Sequence, residues 1–413
     1  MSEPPIDRSD EFHLKELVKM QAEEAVTTLL ERAAELRSSD LFILSEGRYA
    51  TIAVRRLGTV EKLAVVSVEQ GRQLISHIKA NARMDIAERR RPMDGRWIQD
   101  LSTRRLDMRV STVPTLHGED LTLRLWDHSL GLLSLDQLGM SKTEINTLMY
   151  MLHHPAGLLL VTGPTGTGKT TTLYASLKHL NDGTRKINTL EDPIEYALEG
   201  VRQSQTNAKL GLDFPELLRS VLRQAPDVIM VGEIRDKDTA STAVRASNSG
   251  HLVLATLHSP TAAGAVQSLV ALGAHPYFLS GCLLGVVAQR LVRTLCPKCR
   301  VRYDFSESPD TFRDIDDLLE PGEGTAIYGP GGCEECYQVG YSARTGLFEI
   351  LTVNQEIRRL VSRGAPSHEI EQAGIRSGLV VFRRGALLKV ARGITSTEEI
   401  LRDVPAEQLG LED

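Results

Sequence analysis

Residues 157–173 read GLLLVTGPTGTGKTTTL, and no other stretch limits the possible folds as sharply. An apolar run, Leu158 to Val161, enters a glycine-rich loop ending in Lys169 and Thr170, and a helix-forming segment follows from Thr171 to Leu180. Gly163 to Thr170 fits the spacing G-x-x-x-x-G-K-[ST] of a phosphate-binding loop. The glycines Gly163, Gly166 and Gly168 let the backbone curl until its N–H groups point at one anion. The following helix offers its positive N-terminal end to the same charge. Lys169 is expected to reach the β- and γ-phosphates and the Thr170 hydroxyl to ligate Mg²⁺, with Pro164, Thr165, Thr167 and Thr171 completing the cradle. A strand, loop and helix in this order belong to an α/β sheet that binds its ligand beyond the carboxyl ends of the strands.

A chain of 413 residues is too long for one core, so two to four domains are expected. The net charge of −6 argues against bulk electrostatic binding of nucleic acid, and none is expected as a partner. No apolar run approaches the ~18 residues of a membrane span, and the start, MSEPPIDRSDEFHLK, lacks the pattern of a signal peptide. A cytoplasmic location follows as the expectation. The five cysteines are then reduced and read first as metal ligands.

Taken in order, residues 1–10 carry Pro4 and Pro5 and read as a disordered tail. A small α+β domain is expected over 11–126. It has a helix from Glu11 to Arg37, strands at 41–44, 49–55 and 62–66, a helix at 68–82, and strands at 107–113 and 120–125. Within it, Arg96 in MDIAERRRPMDGRW and Arg109 in LDMRVS allow two readings. They are solvated edge arginines, or they reach a nucleotide held by the next domain. Residues 127–140 form a linker, and 141–294 the domain of the phosphate loop, beginning with a helix at 142–153.

Beyond the loop, a strand at 186–190 leads into EDPIEY, where Glu191, Asp192 and Glu195 crowd acids past a strand end. Such carboxylates suit Mg²⁺ or a positioned water, the alternative being helix capping at Asp192-Pro193. Val228 to Val231 is an unbroken apolar strand with Glu233 just beyond it, placed to polarise an attacking water. Arg219, Arg223 and Arg235 are expected around that carboxylate. A further strand, Leu252 to Leu257, is bracketed by His251 and His258, each either a γ-phosphate sensor or a structural histidine. Residues 295–346 hold CPKC and CEEC, so Cys296, Cys299, Cys333 and Cys336 suit a closed, structural tetrahedral zinc site, with a redox pair as the alternative. The gap between the pairs is expected to contain an inserted strand or helix. Cys282 reads as a small buried hydrophobe. Residues 347–413 read as helices, with Arg383, Arg384, Lys389 and Arg392 on a basic face that is either solvated or in contact with a partner.

These segments, in this order, resemble the ATPases of type II secretion and type IV pilus assembly. The resemblance runs from about Ala33 to Asp403. It rests on SSD, MDIAERR with MDGR, the phosphate loop, LEDPIEY, LRQAPDVIMVGEIRD, SGHLVLATLH, AQRLVRTLCPKC, and GCEEC followed by GY and RTGLFEIL. It implies a RecA-like P-loop ATPase domain preceded by a PAS-like α+β domain, with a small zinc-binding insertion and C-terminal helices. It also implies a homo-hexameric ring that hydrolyses ATP with Mg²⁺ at the inner face of the cytoplasmic membrane. Such rings drive (pseudo)pilus assembly through a polytopic platform protein. By the same resemblance Gly163 to Thr170 is Walker A, and Glu191, Asp192 and Glu195 form an acidic box. Glu233 is then the Walker B glutamate, and His251 and His258 form a histidine box. Arg96 and Arg109 turn toward the nucleotide when domains close, and Arg219, Arg223 and Arg235 are further functional arginines. The two cysteine pairs favour the secretion and pilus-extension branch. Departures from the family pattern include Ala225 before Walker B, Ser259-Pro260-Thr261 after the histidine box, Gln267, and Phe42 and Leu44 in the early strand. The extra N-terminal docking domain of larger relatives is expected to be missing. A weakly hydrolysing regulator or scaffold, and a nucleic-acid translocase on the same core, are the other readings, the last disfavoured by the acidic balance.

Overall fold

The computed structural model describes Leu17 and residues 20–102, 104–127, 132–304 and 309–411. The expected tail at 1–10, the start of the first expected helix and residues 128–131 of the expected linker lie outside them. The chain divides into two compact units, up to Gly131 and from Leu132 onward.

In the first unit, α1 (Ala22–Glu35) and α2 (Val68–Asn81) accompany a six-stranded sheet of β1 (Asp40–Ser45), β2 (Tyr49–Arg56), β3 (Thr59–Ser67), β4 (Met93–Asp100), β5 (Arg105–Thr115) and β6 (Gly118–Asp127). The order is β3-β2-β1-β6-β5-β4, and every neighbouring pair is antiparallel. Leu41, Ile43, Ile52, Val54, Met108, Val110, Leu121 and Leu123 alternate onto one buried face, the period of two expected of half-covered strands. Ser67 caps α2 by accepting from the Gln70 N–H. Strand β4 has no counterpart in the sequence reading. It is an edge strand whose burial alternates strictly, but its inward residues are Met93, Gly95, Trp97 and Gln99 while the apolar Ile98 faces out, so the sequence shows no apolar alternation.

The second unit is built on a seven-stranded sheet, β15-β12-β7-β11-β10-β8-β9. Its elements in chain order are α3 (Lys142–Leu152), β7 (Gly157–Thr162), α4 (Lys169–Leu180), β8 (Ile187–Glu191), β9 (Arg202–Gln205), α5 (Phe214–Val221), β10 (Val228–Val231), α6 (Lys237–Asn248), β11 (Leu252–Leu257), α7 (Ala262–Ala271), α8 (Pro276–Cys282) and β12 (Leu283–Leu295). A hairpin of β13 (Val301–Asp304) and β14 (Ala326–Gly329) follows, then β15 (Tyr341–Thr352), α9 (Gln355–Ser362), α10 (Ser367–Arg376), α11 (Phe382–Ala391), α12 (Thr397–Asp403) and α13 (Ala406–Leu409). All sheet neighbours are parallel except β15, which runs antiparallel to β12. Leu158, Leu160, Ile229, Val231, Val253 and Ala255 enter one core with α5 to α7. Leu159, Val161, Val228, Met230, Leu252 and Leu254 enter another with α3 and α4. Covered on both faces, these strands read as continuous apolar runs.

Two features differ from the sequence reading, while the insertion between the cysteine pairs, expected to hold a strand or helix, holds both. Strand β12 is unforeseen, and β15 returns to the main sheet across residue 346, where a helical region was expected to begin. Between the cysteine pairs lie both a hairpin and a 3₁₀ segment, Pro309–Leu318. The basic face of α11 meets groups of its own chain, with Arg383 still exposed. Arg383 pairs with Asp314 and Arg384 with Asp317, Arg392 donates to Glu323 at 2.9 Å, and Lys389 donates to the Gly139 carbonyl at 2.9 Å. An acidic stretch of the insertion covers it.

Candidate functional site

Strand register sets the site. Thr162 pairs with Leu257, Val231 with Ala255 and Leu190, and Ala288 with Thr162, so the strands end at one edge. The loop after β7 turns through Gly163 (φ 144°), Gly166 (φ 81°) and Gly168 (φ 87°), conformations costly for any residue with a side chain. A Cβ on Gly163 would also collide with the Gln289 carbonyl. Among the described residues, the backbone N–H groups of Gly166 through Thr170 have no protein acceptor. Donors left over at a helix start fit the oxygens of a polyphosphate. Pro164 and Thr165 are exposed at the loop tip; Thr170 and Thr171 are half-buried in the first turn of α4. Thr167 donates to the Pro164 carbonyl at 2.9 Å.

Lys169 spans this loop. Its Nζ donates to the carbonyls of Gly163 (2.8 Å) and Pro164 (2.9 Å) and lies 3.5 Å from His258 Nδ1. Burial holds the ammonium below the usual lysine range, and the nearby Glu233 carboxylate opposes that shift. His258 Nε2 is 2.9 Å from Glu233 Oε1. The His258 ring therefore bridges the Glu233 carboxylate on its Nε2 side and the Lys169 ammonium on its Nδ1 side. Arg235 meets the other oxygen of Glu233 at 2.5 Å and Asp192 at 3.6 Å, and its pKa is raised chiefly by the Glu233 hydrogen bond. Lys169, His258, Glu233, Arg235 and Asp192 thus form one chain of polar contacts along the sheet edge.

Other expected members are placed differently. Glu191 is the last residue of β8 rather than beyond it, and it is buried. Its carboxylate accepts from Tyr174, from Thr189 at 2.5 Å and from Gln203 at 3.0 Å, so it organises the wall and does not face the loop as an open ligand. Tyr174 is raised above its usual range, first by burial and then by Glu191. Glu195 is half-buried, its N–H 3.4 Å from the Tyr174 hydroxyl. His251 precedes β11, at the opposite end of the strand from His258. Its ring is 3.0 Å from the Ala246 carbonyl, so the structure does not bring it to the loop. Arg219 and Arg223 do not surround Glu233. Arg223 donates to the Arg219 carbonyl and to Ser220 beside the amino ends of the strands, and both guanidinium residues are exposed. In the first unit, Arg96 and Arg109 are paired across β4 and β5. Arg96 donates to Asp107, and Arg109 lies over the Trp126 ring.

The sequence reading gave no role to Gln289. On β12, one residue past the partner of Thr162, it donates to the Thr167 carbonyl at 2.7 Å and accepts from the Thr172 hydroxyl at 2.7 Å. It thereby pins both the loop and the first turn of α4. Its motif, AQRL, was visible, but a contact spanning well over one hundred residues carries no local signal.

The four cysteine sulfurs lie within 4.8 Å of one another, with 3.8 Å between Cys296 and Cys333 and 3.7 Å between Cys299 and Cys336. Tetrahedral zinc–thiolate bonds of about 2.3 Å require sulfurs about 3.8 Å apart, so the donor set fits zinc. Burial would push the Cys336 thiol up, but N–H donation from Cys333 and Gly340 brings it down to about 7, which favours a ligating thiolate. Cys282 is buried on α8, and its thiol is pushed up to about 11 by burial.

A glycine loop with free N–H donors at a helix start, and a strand-end carboxylate two strands away, define a P-loop nucleotide-binding α/β protein. More particularly, the chain belongs to the type II/IV secretion system protein family, whose model matches residues 17–402. It is 44% identical over 377 residues to type II secretion system protein E of Pseudomonas aeruginosa, covering 91% of this chain and 74% of that one. It is 41% identical over the same length and shares to the type II secretion system ATPase E of Vibrio cholerae. Among solved structures, the fold is shared with the Legionella pneumophila ATPase DotB (TM-score 0.67, 22% identity, 90% and 93% of the two chains). It is also shared with the pilus retraction motor PilT with bound ADP (TM-score 0.60, 22% identity, 91% and 96%).

Proposed function

We propose that the chain is an ATP-hydrolysing motor that powers secretion or (pseudo)pilus assembly. The observation that supports it best is the contact chain Lys169–His258–Glu233 beside a loop with free N–H donors. Those N–H groups and Lys169 bind the β- and γ-phosphates and offset charge that moves onto the departing oxygen. Glu233 orients the attacking water and takes up its proton as the oxygen–phosphorus bond forms. His258 holds that carboxylate and feels whether Lys169 is engaged by phosphate or by the loop carbonyls. Mg²⁺, held at the Thr170 hydroxyl, would neutralise phosphate charge. Asp192 and Arg235 steer the Glu233 carboxylate, while Glu191 and Glu195 shape the wall behind it.

The finer reading extends the family resemblance. The ATPase domain is RecA-like and the first unit PAS-like. The working form is a homo-hexamer at the inner face of the cytoplasmic membrane, acting on a polytopic platform protein. Among the described residues, no helix is long and apolar enough to cross a membrane. The four cysteines hold structural zinc. Arg96 and Arg109 contact nucleotide, and the exposed Arg219 and Arg223 serve the ring. The test is Glu233→Gln. Turnover should fall by at least about a hundredfold, while nucleotide binding persists. Full turnover in this variant would overturn the assignment.

A further inference from the structure

The first unit contains a cleft of about 610 Å³ between α2, the start of β2 and the β5–β6 turn. Arg72 on α2, Arg89 and Arg90 on the segment before β4, and His117 at the turn all line it. The side chains of Arg72, Arg89 and His117 take no hydrogen-bond or ion-pair partner among the described residues. Two carboxylates also line the cleft, but Glu119 is already neutralised. It meets the Lys79 ammonium at 2.8 Å in a pair 8% and 1% exposed. Arg90 is 93% exposed and lies 3.9 Å from the Glu88 carboxylate, so Arg72 and Arg89 are the two lining guanidinium groups without an ion-pair partner among the described residues, and Glu46 is the one lining acid without a pairing cation there. Unpartnered like charges repel one another unless an anion joins them.

The backbone that carries Arg89 is also held in place. The buried Lys79 Nζ donates to the Glu88 carbonyl at 2.6 Å, one residue before Arg89, and so ties this segment to α2 and to the β6 end of the turn. That is a buried charge spent on fixing a loop, not on covering a core. Val68, Ile75 and Pro114 give the cleft an apolar wall, and Tyr49 adds a ring that is 44% exposed. The volume falls in the range of small-molecule sites, about 300–1,000 Å³.

We propose that this cleft binds a phosphate-bearing small molecule with a flat or apolar body, of the nucleotide class. The guanidinium groups grip the phosphate and Tyr49 with the apolar wall packs the body. It is separate from the pair Arg96 and Arg109. Arg109 lies six residues along β5 from the turn residue Thr115, about 20 Å at strand rise. A lipid headgroup would present the same phosphate chemistry, and the experiment distinguishes the two sources.

The test uses the full chain carrying Lys169→Ala, which silences the phosphate loop. Titration with inorganic pyrophosphate and with ADP should show one saturable site with Kd below about 1 mM, weakened at least about tenfold by Arg72→Ala with Arg89→Ala. Vesicles of phosphatidylglycerol, against phosphatidylcholine, form the second arm. Arginine-dependent binding to those vesicles without soluble binding supports the proposal with a headgroup as the source. Absence of saturable binding in both arms overturns it, as does binding indifferent to the two substitutions. So does a change of oligomeric state alone, which would make the cleft an interface between copies. Unchanged circular dichroism in the variant confirms that folding is not what was lost.

Discussion

Gln289→Leu isolates the contribution of a residue that never touches phosphate. The substitution nearly preserves volume but removes a donor to the Thr167 carbonyl and an acceptor for the Thr172 hydroxyl, both 2.7 Å contacts in a buried setting. Each orphaned buried group costs about 1–3 kcal/mol, so the native loop geometry should be destabilised by about 2–6 kcal/mol. Part of that cost is recovered if the loop relaxes, but relaxation spoils the convergence of its N–H groups. Tighter nucleotide binding by the wild type over Gln289→Leu should then reach about 10- to 1,000-fold, at 1.4 kcal/mol per decade. Binding of a fluorescent ADP analogue measures the first effect, and calorimetric unfolding with and without ADP measures the second. Thr172→Val, which removes one contact and leaves Gln289 half satisfied, should give an intermediate loss. A double-mutant cycle with Gln289→Leu should show coupling of about 0.5–3 kcal/mol. Unchanged ADP affinity in Gln289→Leu, with normal folding, would refute the claim that this side chain pins the loop.

Three further outcomes are expected. Gly163→Ala places a Cβ against the Gln289 carbonyl at a φ of 144°, so nucleotide binding should be lost and the unit destabilised by more than about 1 kcal/mol, measured by thermal unfolding. Cys296→Ser together with Cys333→Ser should reduce zinc from about one ion per chain to none by elemental analysis, and should increase hydrogen exchange across 296–340. Glu349 is buried, and its carboxyl is pushed up to about 7 by burial, against N–H donation from Phe382 and Ala262. The folded state keeps its proton where the unfolded state has lost it, so its stabilisation is full below the ordinary carboxyl range and fades as pH rises toward 7. The unfolding free energy of wild type minus Glu349→Gln should therefore fall by about 3 kcal/mol between pH 4 and 8; a flat difference would contradict the burial argument.

What the sequence made legible was what neighbouring residues encode. The phosphate loop, the apolar strands at 228–231 and 252–257, and the two cysteine pairs each lie within a short window, where glycine spacing or unbroken apolarity acts directly on the backbone. What escaped was carried by distance. Gln289 reaches Thr167, and Glu349 accepts from the first residues of both α7 and α11, yet neither looks different from an ordinary polar residue beside a strand. His251 and His258 flank one strand in the sequence, and the strand's own length puts them at opposite ends. The basic residues of α11 were read as surface because their partners, Asp314, Asp317 and Glu323, come from an insertion whose path no periodicity reveals.

Strand β12 gives the molecule a rigid line of communication. It is 13 residues long and bonds to β7 over its first part and to β15 over nearly its whole length. Seven residues, or about 23 Å of extended backbone, separate Gln289 from Cys296. From Gly285 to Thr294 the strand is held in an unshifted ladder with β15, and the register shifts only at Thr294/Leu295, next to Cys296; an extended strand held in this way has little slack to absorb a pull. A change in loop posture at Gln289 and the seating of the cysteine cluster therefore sit at two stations of one stiff rod, and a shift at either is a mechanical load on the other.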